Sequence, residues 1–522
     1  MKKTAWWGTF LVILAGALFL RTAALGLRPM HHDEANQALK FGTLLETGEY
    51  RYDKNDHHGP SLYYLTLPVA RAAGHRLTAS LDETVLRLVP ALFGAGTLLL
   101  FLLLRDGLGR GAALFSGLFT AISPFMVYYA RFYIQETILV FFIAGLLASL
   151  WRYSRRPSAG WAAAAGFCAG MMYATKETSI IAFAAVAAAF MVASASRGSG
   201  RPGPGERGRL RPRARHGLLG LAVALAAAGL LFTSFLRNPG GLWDSLLSFR
   251  VYFARGAEAG WHTHPPSYYL ELLAFSKFGA SAPVWSEALV LLLAAVGSVA
   301  AFRKGGEGER SLSLPRIVFV YTIVSFTVYS LIPYKTPWNA LPFFLGVILL
   351  AGHGAASLAG ASPKAGVRVA VLAVLAAGAL HLGIQCRRAN FVLYADPRNP
   401  YVYAQTGTDF LRLVRRVEAL AALRPEGRRM LIKVVAGPYD TWPLPWYFRG
   451  YTNVGYWPDA PSAGAVGDAP VVVASADQAE AVGDLLGNRY HSEFYGLRPE
   501  ALLSLYVRND LWERYLSGKA GT

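Results

Sequence analysis

The 522-residue sequence has little charge and almost no cysteine. Asp, Glu, Lys and Arg form 16% of it, against about a quarter in soluble domains, which argues against an ordinary cytosolic enzyme. Its two cysteines, Cys168 and Cys386, exclude a disulfide scaffold and a cysteine-based zinc module. No GxGxxG or phosphate-cradling glycine loop follows a strand-like run, so nucleotide binding lacks support. Acid is the scarcer sign: 32 acidic residues face 51 basic ones, a formal charge of +19. Where that excess sits decides between a nucleic-acid and a membrane partner. Apolar surface is plentiful by contrast. Hydrophobic residues reach 54%, with 29 Phe, 26 Tyr and 12 Trp, which excludes intrinsic disorder.

The basic residues lie between apolar runs. Stretches of about 20 apolar residues match the hydrocarbon core of a bilayer. Eleven are read, at roughly 5–27, 84–104, 111–130, 134–151, 160–175, 177–196, 217–236, 283–302, 316–333, 338–358 and 366–385. The first is too long for a removable signal peptide and lacks a small-residue cleavage site. With the N-terminus inside, the inner loops hold 20 basic residues against four acids (Asp106, Glu206, Glu307 and Glu309), while the outer loops and tail are nearly balanced. Positive charge retained on the cytoplasmic side orients a multi-pass protein of the cell (inner) membrane, surrounded by membrane lipids, with a cytoplasmic N-terminus. The arginine-rich stretch 201–217 is then a solvated inner loop, and no nucleic-acid partner is expected. A further span at 61–77 would invert every later loop. That segment is therefore expected as a helix in the outer interface, with Tyr63 and Tyr64 at headgroup depth.

The expected fold class is an α-helical polytopic membrane protein, residues 1–385, with outer loops 28–83 and 237–282. A small soluble α/β domain, 386–522, follows on the extracytoplasmic side. In that tail an amphipathic stretch (408–423) precedes a strand-like MLIKVVA (430–436). PVVVAS (470–475), a helical 476–486 and YHSEFYGL (490–497) come later, and their alternation indicates a layered α/β unit.

Chemistry is expected in the outward segments. Asp33 and Glu34 lie just past the first span, where a carboxylate can act as general base toward an acceptor hydroxyl. An acid at that point also suits the N-terminus of the amphipathic helix that follows, as a cap. Six of the eleven histidines form pairs in outer loops: His31 with His32, His57 with His58, and His262 with His264. Imidazole with carboxylate is a ligand set for a divalent ion, although no HExxH-type spacing is present. Arg87, Arg131, Lys176 and Lys335 stand at the outer ends of apolar runs. Each alone reads as a snorkelling side chain; together they suit the phosphate of an anionic lipid.

HHDEA (31–35), YDKNDHHGPSLYYL (52–65), LRLVPALFG (86–94), SPFMVYYARF (123–132) and ATKE (174–177) resemble the multi-spanning glycosyltransferases of the GT-C fold. That group includes protein O-mannosyltransferases and the lipid A aminoarabinose transferase. YKTPW (334–338), DPRNPYVYAQTGTD (396–409) and TWPLPWYFRGYTNVGYW (441–457) are similar to the membrane family called flippase activity-associated in archaeal N-glycosylation. The GT-C resemblance implies an inverting transfer of a sugar from a polyprenyl-phosphate donor to a glycan, lipid or protein acceptor outside the membrane. It assigns the base to Asp33, with Glu34 beside it, and the donor phosphate to Arg87, Arg131, Lys176 and Lys335. It implies a possible divalent metal, Zn or Mn, on Asp56, His57, His262 and His264, and no nucleotide. The sequence departs from the relatives in its DHHGP context, where they carry acid-Lys or His-Pro-Pro forms. Two alternatives use the same residues differently: a lipid-linked-sugar flippase or its accessory, which needs the cations but no base, and a solute transporter. The latter usually shows paired internal repeats with broken helices at mid-membrane, and neither such a pairing nor a mid-span acid is read here.

Overall fold

Long apolar runs broken by short polar turns become helices in the computed structural model, which describes residues 2–55, 58–195, 213–257, 260, 262–303 and 313–520. In chain order these are α1 (Lys3–Thr22), α2 (His32–Thr47), α3 (Ser61–Ala72), α4 (Glu83–Leu108), α5 (Arg110–Ile122), α6 (Pro124–Ala130) and α7 (Glu136–Arg155). Then come α8 (Ala159–Tyr173), α9 (Ser179–Ala195), α10 (Ala214–Phe232), α11 (Gly240–Ala257), α12 (Tyr268–Ala274) and α13 (Ala288–Phe302). The helical part ends with α14 (Leu314–Leu331), α15 (Leu341–Gly360) and α16 (Ala365–Arg387). The chain divides into two compact units. One holds Met1–Leu25, Glu49–Val69 and Arg87–Val392; the other holds Gly26–Gly48, Ala70–Leu86 and Leu393–Thr522.

Among the described residues, seven helices are long and apolar enough to cross a membrane, and eight if the bent pair α5–α6 counts as one span. That pair turns by 62° at Ser123-Pro124. Pro124 cannot continue a helix from before, and the Ser123 side chain accepts from Met126 N–H to start the next one. The expected spans 160–175, 177–196 and 283–302 meet α8, α9 and α13, of 15, 17 and 15 residues. These are short beside the roughly 20 residues a hydrocarbon core needs. Small residues let neighbouring helices approach closely, as apolar helices in lipid require. A Cβ on Gly297 of α13 would stand 2.0 Å from the Leu350 carbonyl oxygen of α15, so only glycine fits there. Segment 61–77 does begin as a helix, α3, with Tyr63 fully buried against Tyr50. The adjacent Tyr64 hydroxyl donates to Ser234 Oγ at 2.7 Å. Most of the arginine-rich stretch 201–217, with Glu307 and Glu309, lies outside the described residues.

The second unit contains α2 and a mixed five-stranded sheet. Its strands are β1 (Ile432–Val435), β2 (Val454–Trp457), β3 (Val471–Ser475), β4 (Tyr490–Arg498) and β5 (Ala501–Arg508), in the order β2-β1-β3-β5-β4. β1 runs parallel to β2 and β3, while β5 is antiparallel to β3 and β4. The remaining helices are α17 (Phe410–Ala422), the short α18 (Leu444–Tyr447), α19 (Ala476–Leu486) and α20 (Asn509–Ala520). Alternating side chains of β3 feed two cores: Val471 and Val473 join Phe410, Leu413 and Val417 of α17, whereas Val472 and Ala474 join Val482 and Leu486 of α19. Being covered on both faces, β3 reads in the sequence as an unbroken apolar run.

Candidate active site

α2 carries the acidic pair. His31 is its N-cap: Nδ1 accepts from Asp33 N–H at 3.0 Å, while Glu34 Oε2 accepts from His31 N–H at 3.1 Å. This reciprocal box satisfies two donors that a helix start leaves open. Glu34 is fully buried and His31 nearly so. The capping box is made by His31 and Glu34, while the Asp33 side chain is 43% exposed with one oxygen 3.8 Å from His31 Nδ1. Burial pulls the His31 imidazole below its usual range. The apolar face Ala35, Ala38, Phe41, Leu44 and Leu45 packs inward, and Gly48, with φ of 71°, ends the helix in a left-handed turn.

The segment leading into α2 is tied to the later part of the same unit. Gln405 Nε2 donates to the Pro29 carbonyl at 2.9 Å, and Met30 N–H donates to the Tyr447 hydroxyl at 2.9 Å. His31 Nε2 meets the Tyr403 carbonyl at 3.1 Å, and the His32 ring stacks on Trp442 with centroids 5.5 Å apart. Trp446 Nε1 donates to Glu83 at 2.8 Å, and the Arg449 guanidinium lies 3.7 Å over the Trp446 ring.

In the helical unit the four candidate cations are all buried and turned into protein, unlike snorkelling side chains. The Arg131 guanidinium donates to the carbonyls of Leu20, Arg21, Ala23 and Ala24, at 2.6 to 3.2 Å, and sits 4.6 Å over the Phe391 ring. Arg87 donates to the Leu25 carbonyl at 2.8 Å. Both thus gather around the C-terminal end of α1, where open carbonyls and the helix dipole favour cations. Lys176 forms a buried ion pair with Glu136, and its ammonium lies 3.4 Å from Asn339 Oδ1. Lys335 donates to the carbonyls of His264 (2.9 Å) and Ile332 (2.5 Å); among the described residues it has no carboxylate partner. Desolvation lowers the Lys335 ammonium from its ordinary range.

Two groupings carry residues the sequence reading did not single out. Glu136 lies at the first turn of α7, at the head of an apolar run, and an acid there is itself a signal. Around Glu177, Tyr52 donates to Oε1 at 3.0 Å, His58 Nδ1 lies 2.9 Å from Oε2, and the Tyr252 hydroxyl stands 2.7 Å from the same imidazole nitrogen. Of the proposed metal ligands, Asp56 and His57 lie outside the described residues. His262 packs on Tyr334 and His264 on Tyr268, with centroids 4.7 and 4.2 Å apart. Among the described residues no group of three His, Cys, Asp or Glu is arranged to hold a metal ion.

The fold is found in solved structures. ArnT from Cupriavidus metallidurans, bound to undecaprenyl phosphate, matches over 97% of this chain and 98% of its own, with a TM-score of 0.63 and 18% identity. The chain has the GT-C fold. The archaeal oligosaccharyltransferase AglB from Archaeoglobus fulgidus, in complex with an inhibitory peptide and a dolichol-phosphate, matches this GT-C chain over 98% of its length and 77% of AglB, with a TM-score of 0.55 and 12% identity. The Archaeoglobus fulgidus enzyme complexed with Zn and sulfate matches over 97% and 75%, with a TM-score of 0.54 and 11% identity. Residues 65–201 also match the family model of dolichyl-phosphate-mannose-protein mannosyltransferases. Arg87, Arg131 and Lys176 fall inside that match, while Asp33 and Lys335 fall outside it. No curated protein sequence matches significantly. The GT-C relatives, by fold and by family model, are glycosyltransferases, and this chain's apolar helices mark it as a membrane protein.

Proposed function

We propose that this GT-C chain transfers a sugar from a polyprenyl-phosphate donor to an acceptor hydroxyl on the extracytoplasmic face, with inversion and with Asp33 as general base. The observation that carries the reading is the division of labour at α2: His31 and Glu34 supply the capping box, while the Asp33 side chain remains partly exposed. The orientation rests on the inner-loop charge excess.

In the proposed step Asp33 takes the proton of the acceptor hydroxyl as that oxygen forms its bond to the anomeric carbon. The bond from the anomeric carbon to the phosphate oxygen breaks, and its electron pair leaves with polyprenyl phosphate. One base suffices because the leaving group is already an acidic phosphate, stabilised by cations. Lys335 suits that second task, since its ammonium is held by carbonyl dipoles and has no carboxylate partner among the described residues. Arg87 and Arg131, committed in part to the end of α1, would contribute positive potential there.

Asp33→Asn keeps the side-chain shape and removes the proton acceptor. Sugar transfer should fall by about 10²–10⁴-fold, the usual contribution of a positioned base, with donor binding nearly unchanged. The assay uses membranes of producing cells stripped of their own copy, supplied with those cells' total polyprenyl-phosphate-sugar extract. If Asp33→Asn transfers at the wild-type rate, or the wild type transfers nothing, the reading is wrong, and lipid handling without chemistry takes its place.

A further inference from the structure

We propose that His31 is a positioning residue for Asp33, which ties the first turn of α2 to residues 403–447 of its own unit; the inference rests on the reading of Asp33 as base. An N-cap is normally Ser, Thr, Asp or Asn, whose short side chain reaches only the turn it caps. An imidazole has two ring nitrogens and can face two partners at once. Nδ1 of His31 accepts from Asp33 N–H, so in this network the ring proton belongs on Nε2, which then donates to the Tyr403 carbonyl. His31 N–H in turn donates to Glu34. Its neighbours are anchored to the same stretch: Pro29 through Gln405, Met30 through Tyr447, and His32 against Trp442. Four consecutive residues, 29 to 32, thus each carry a tie to 403–447, and Asp33 is the next residue along.

The placement gives the two long sequence motifs, 396–409 and 441–457, a job. They supply Tyr403, Gln405, Trp442 and Tyr447, which fix where α2 begins and so where the Asp33 carboxylate stands. Displacing a reacting group by about 1 Å is enough to cost about 10²-fold in rate. His31 acts on turnover through Asp33 and has no direct part in holding donor.

The test uses the full-length chain in the membrane assay described for Asp33, with the same polyprenyl-phosphate-sugar extract at varied concentration. His31→Ala removes both ties and should lower the maximal rate by about 10–100-fold, with the half-saturating amount of extract within about twofold of wild type. His31→Asn restores a capping oxygen for Asp33 N–H but not the tie to Tyr403, and should recover part of the rate, staying about three- to tenfold below wild type. A loss of stability alone would reduce the amount of active protein in both variants, so rates are normalised to folded protein by size-exclusion. If His31→Ala turns over at the wild-type rate while Asp33→Asn is inactive, the positioning role is refuted and the base assignment stands. If His31→Asn is as slow as His31→Ala, the hold on Asp33 N–H is not what matters, and if it matches the wild type, the tie to Tyr403 is not; either result makes the proposal fail. If Asp33→Asn is fully active, both readings fall together.

Discussion

Two lysines, Lys176 and Lys335, each stand as the single cation of a short turn between apolar helices, the first with Glu177 beside it in the chain. The fold treats them in opposite ways. Lys176 meets the carboxylate of Glu136, 40 positions earlier, so the pair is neutral as a unit. Lys335 meets only backbone carbonyls among the described residues and keeps its charge without a carboxylate beside it. Taking an ammonium out of water is costly, and a carboxylate offsets that cost more fully than two carbonyl dipoles. A buried cation held this way is poised for an anion from outside the chain; a buried ion pair is a structural element. The same contrast recurs between Asp33 and Glu34, adjacent acids of which one is buried in the cap and the other is partly exposed.

The largest effect should come from breaking the pair. Lys176→Met leaves Glu136 as an uncompensated buried charge, and removing one partner of such a pair costs about 3–5 kcal/mol. The expected result is a marked drop in unfolding midpoint and in yield from detergent extracts. Adding Glu136→Gln to Lys176→Met should recover most of the lost stability, because no lone charge remains. Should the double variant stay as unstable as the single, the pair is not what holds this turn.

Lys335→Met should behave in reverse. No carboxylate among the described residues is stranded, so the unfolding midpoint should move little. Donor binding should weaken by about 10–100-fold, corresponding to about 1.5–3 kcal/mol for a hydrogen bond to a charged group. Binding of the polyprenyl-phosphate-sugar extract to purified protein in nanodiscs measures it. Unchanged binding together with a collapsed midpoint would make Lys335 a second structural lysine and erase the contrast.

How much of this was readable follows from distance along the chain. β1 and β3 lie within the runs 430–436 and 470–475: a strand buried on both faces reads as continuous apolar residues, as β3 does, and β1 departs from that only at the buried Lys433. α17 was equally plain, its Phe410, Leu413, Val414 and Val417 forming one stripe. β2, four residues long in a Gly- and aromatic-rich motif, and β5, whose apolar run mixes both faces, carry no such period. The acids, histidines and cations could be listed from the sequence, but their partners could not. Glu136 for Lys176, Glu177 for His58 and Tyr403 for His31 lie 40, 119 and 372 residues away. Nor does local patterning reveal that residues 26–48 and 70–86 pack with 393–522 in one unit. Periodicity reports what a segment buries, whereas electrostatic partnership is decided by the chain's return.

The smallest effect distinguishes the engaged His31 from an ordinary surface histidine by titration. Burial lowers its imidazole below the usual value of about 6.5; Asp33, Glu34 and the Tyr403 carbonyl oppose that shift, and Arg28 adds to it. Above about pH 6.5 the ring is neutral in folded and unfolded chains alike and contributes no pH dependence. As pH falls through that value the unfolded chain takes up a proton that the folded chain resists, so the unfolded state binds more protons and stability declines. The decline continues until the folded ring also protonates, at no more than about 1.4 kcal/mol per pH unit. Protonation would also consume the Nδ1 lone pair that holds Asp33 N–H. His31→Asn keeps a cap without a titrating group, and every other ionisable residue is common to both proteins. Unfolding midpoints measured from about pH 7.5 to 5 should therefore fall more steeply for the wild type than for His31→Asn. Parallel curves would mean that His31 takes its proton as readily in the folded protein as in water, which a buried imidazole accepting a backbone N–H cannot do.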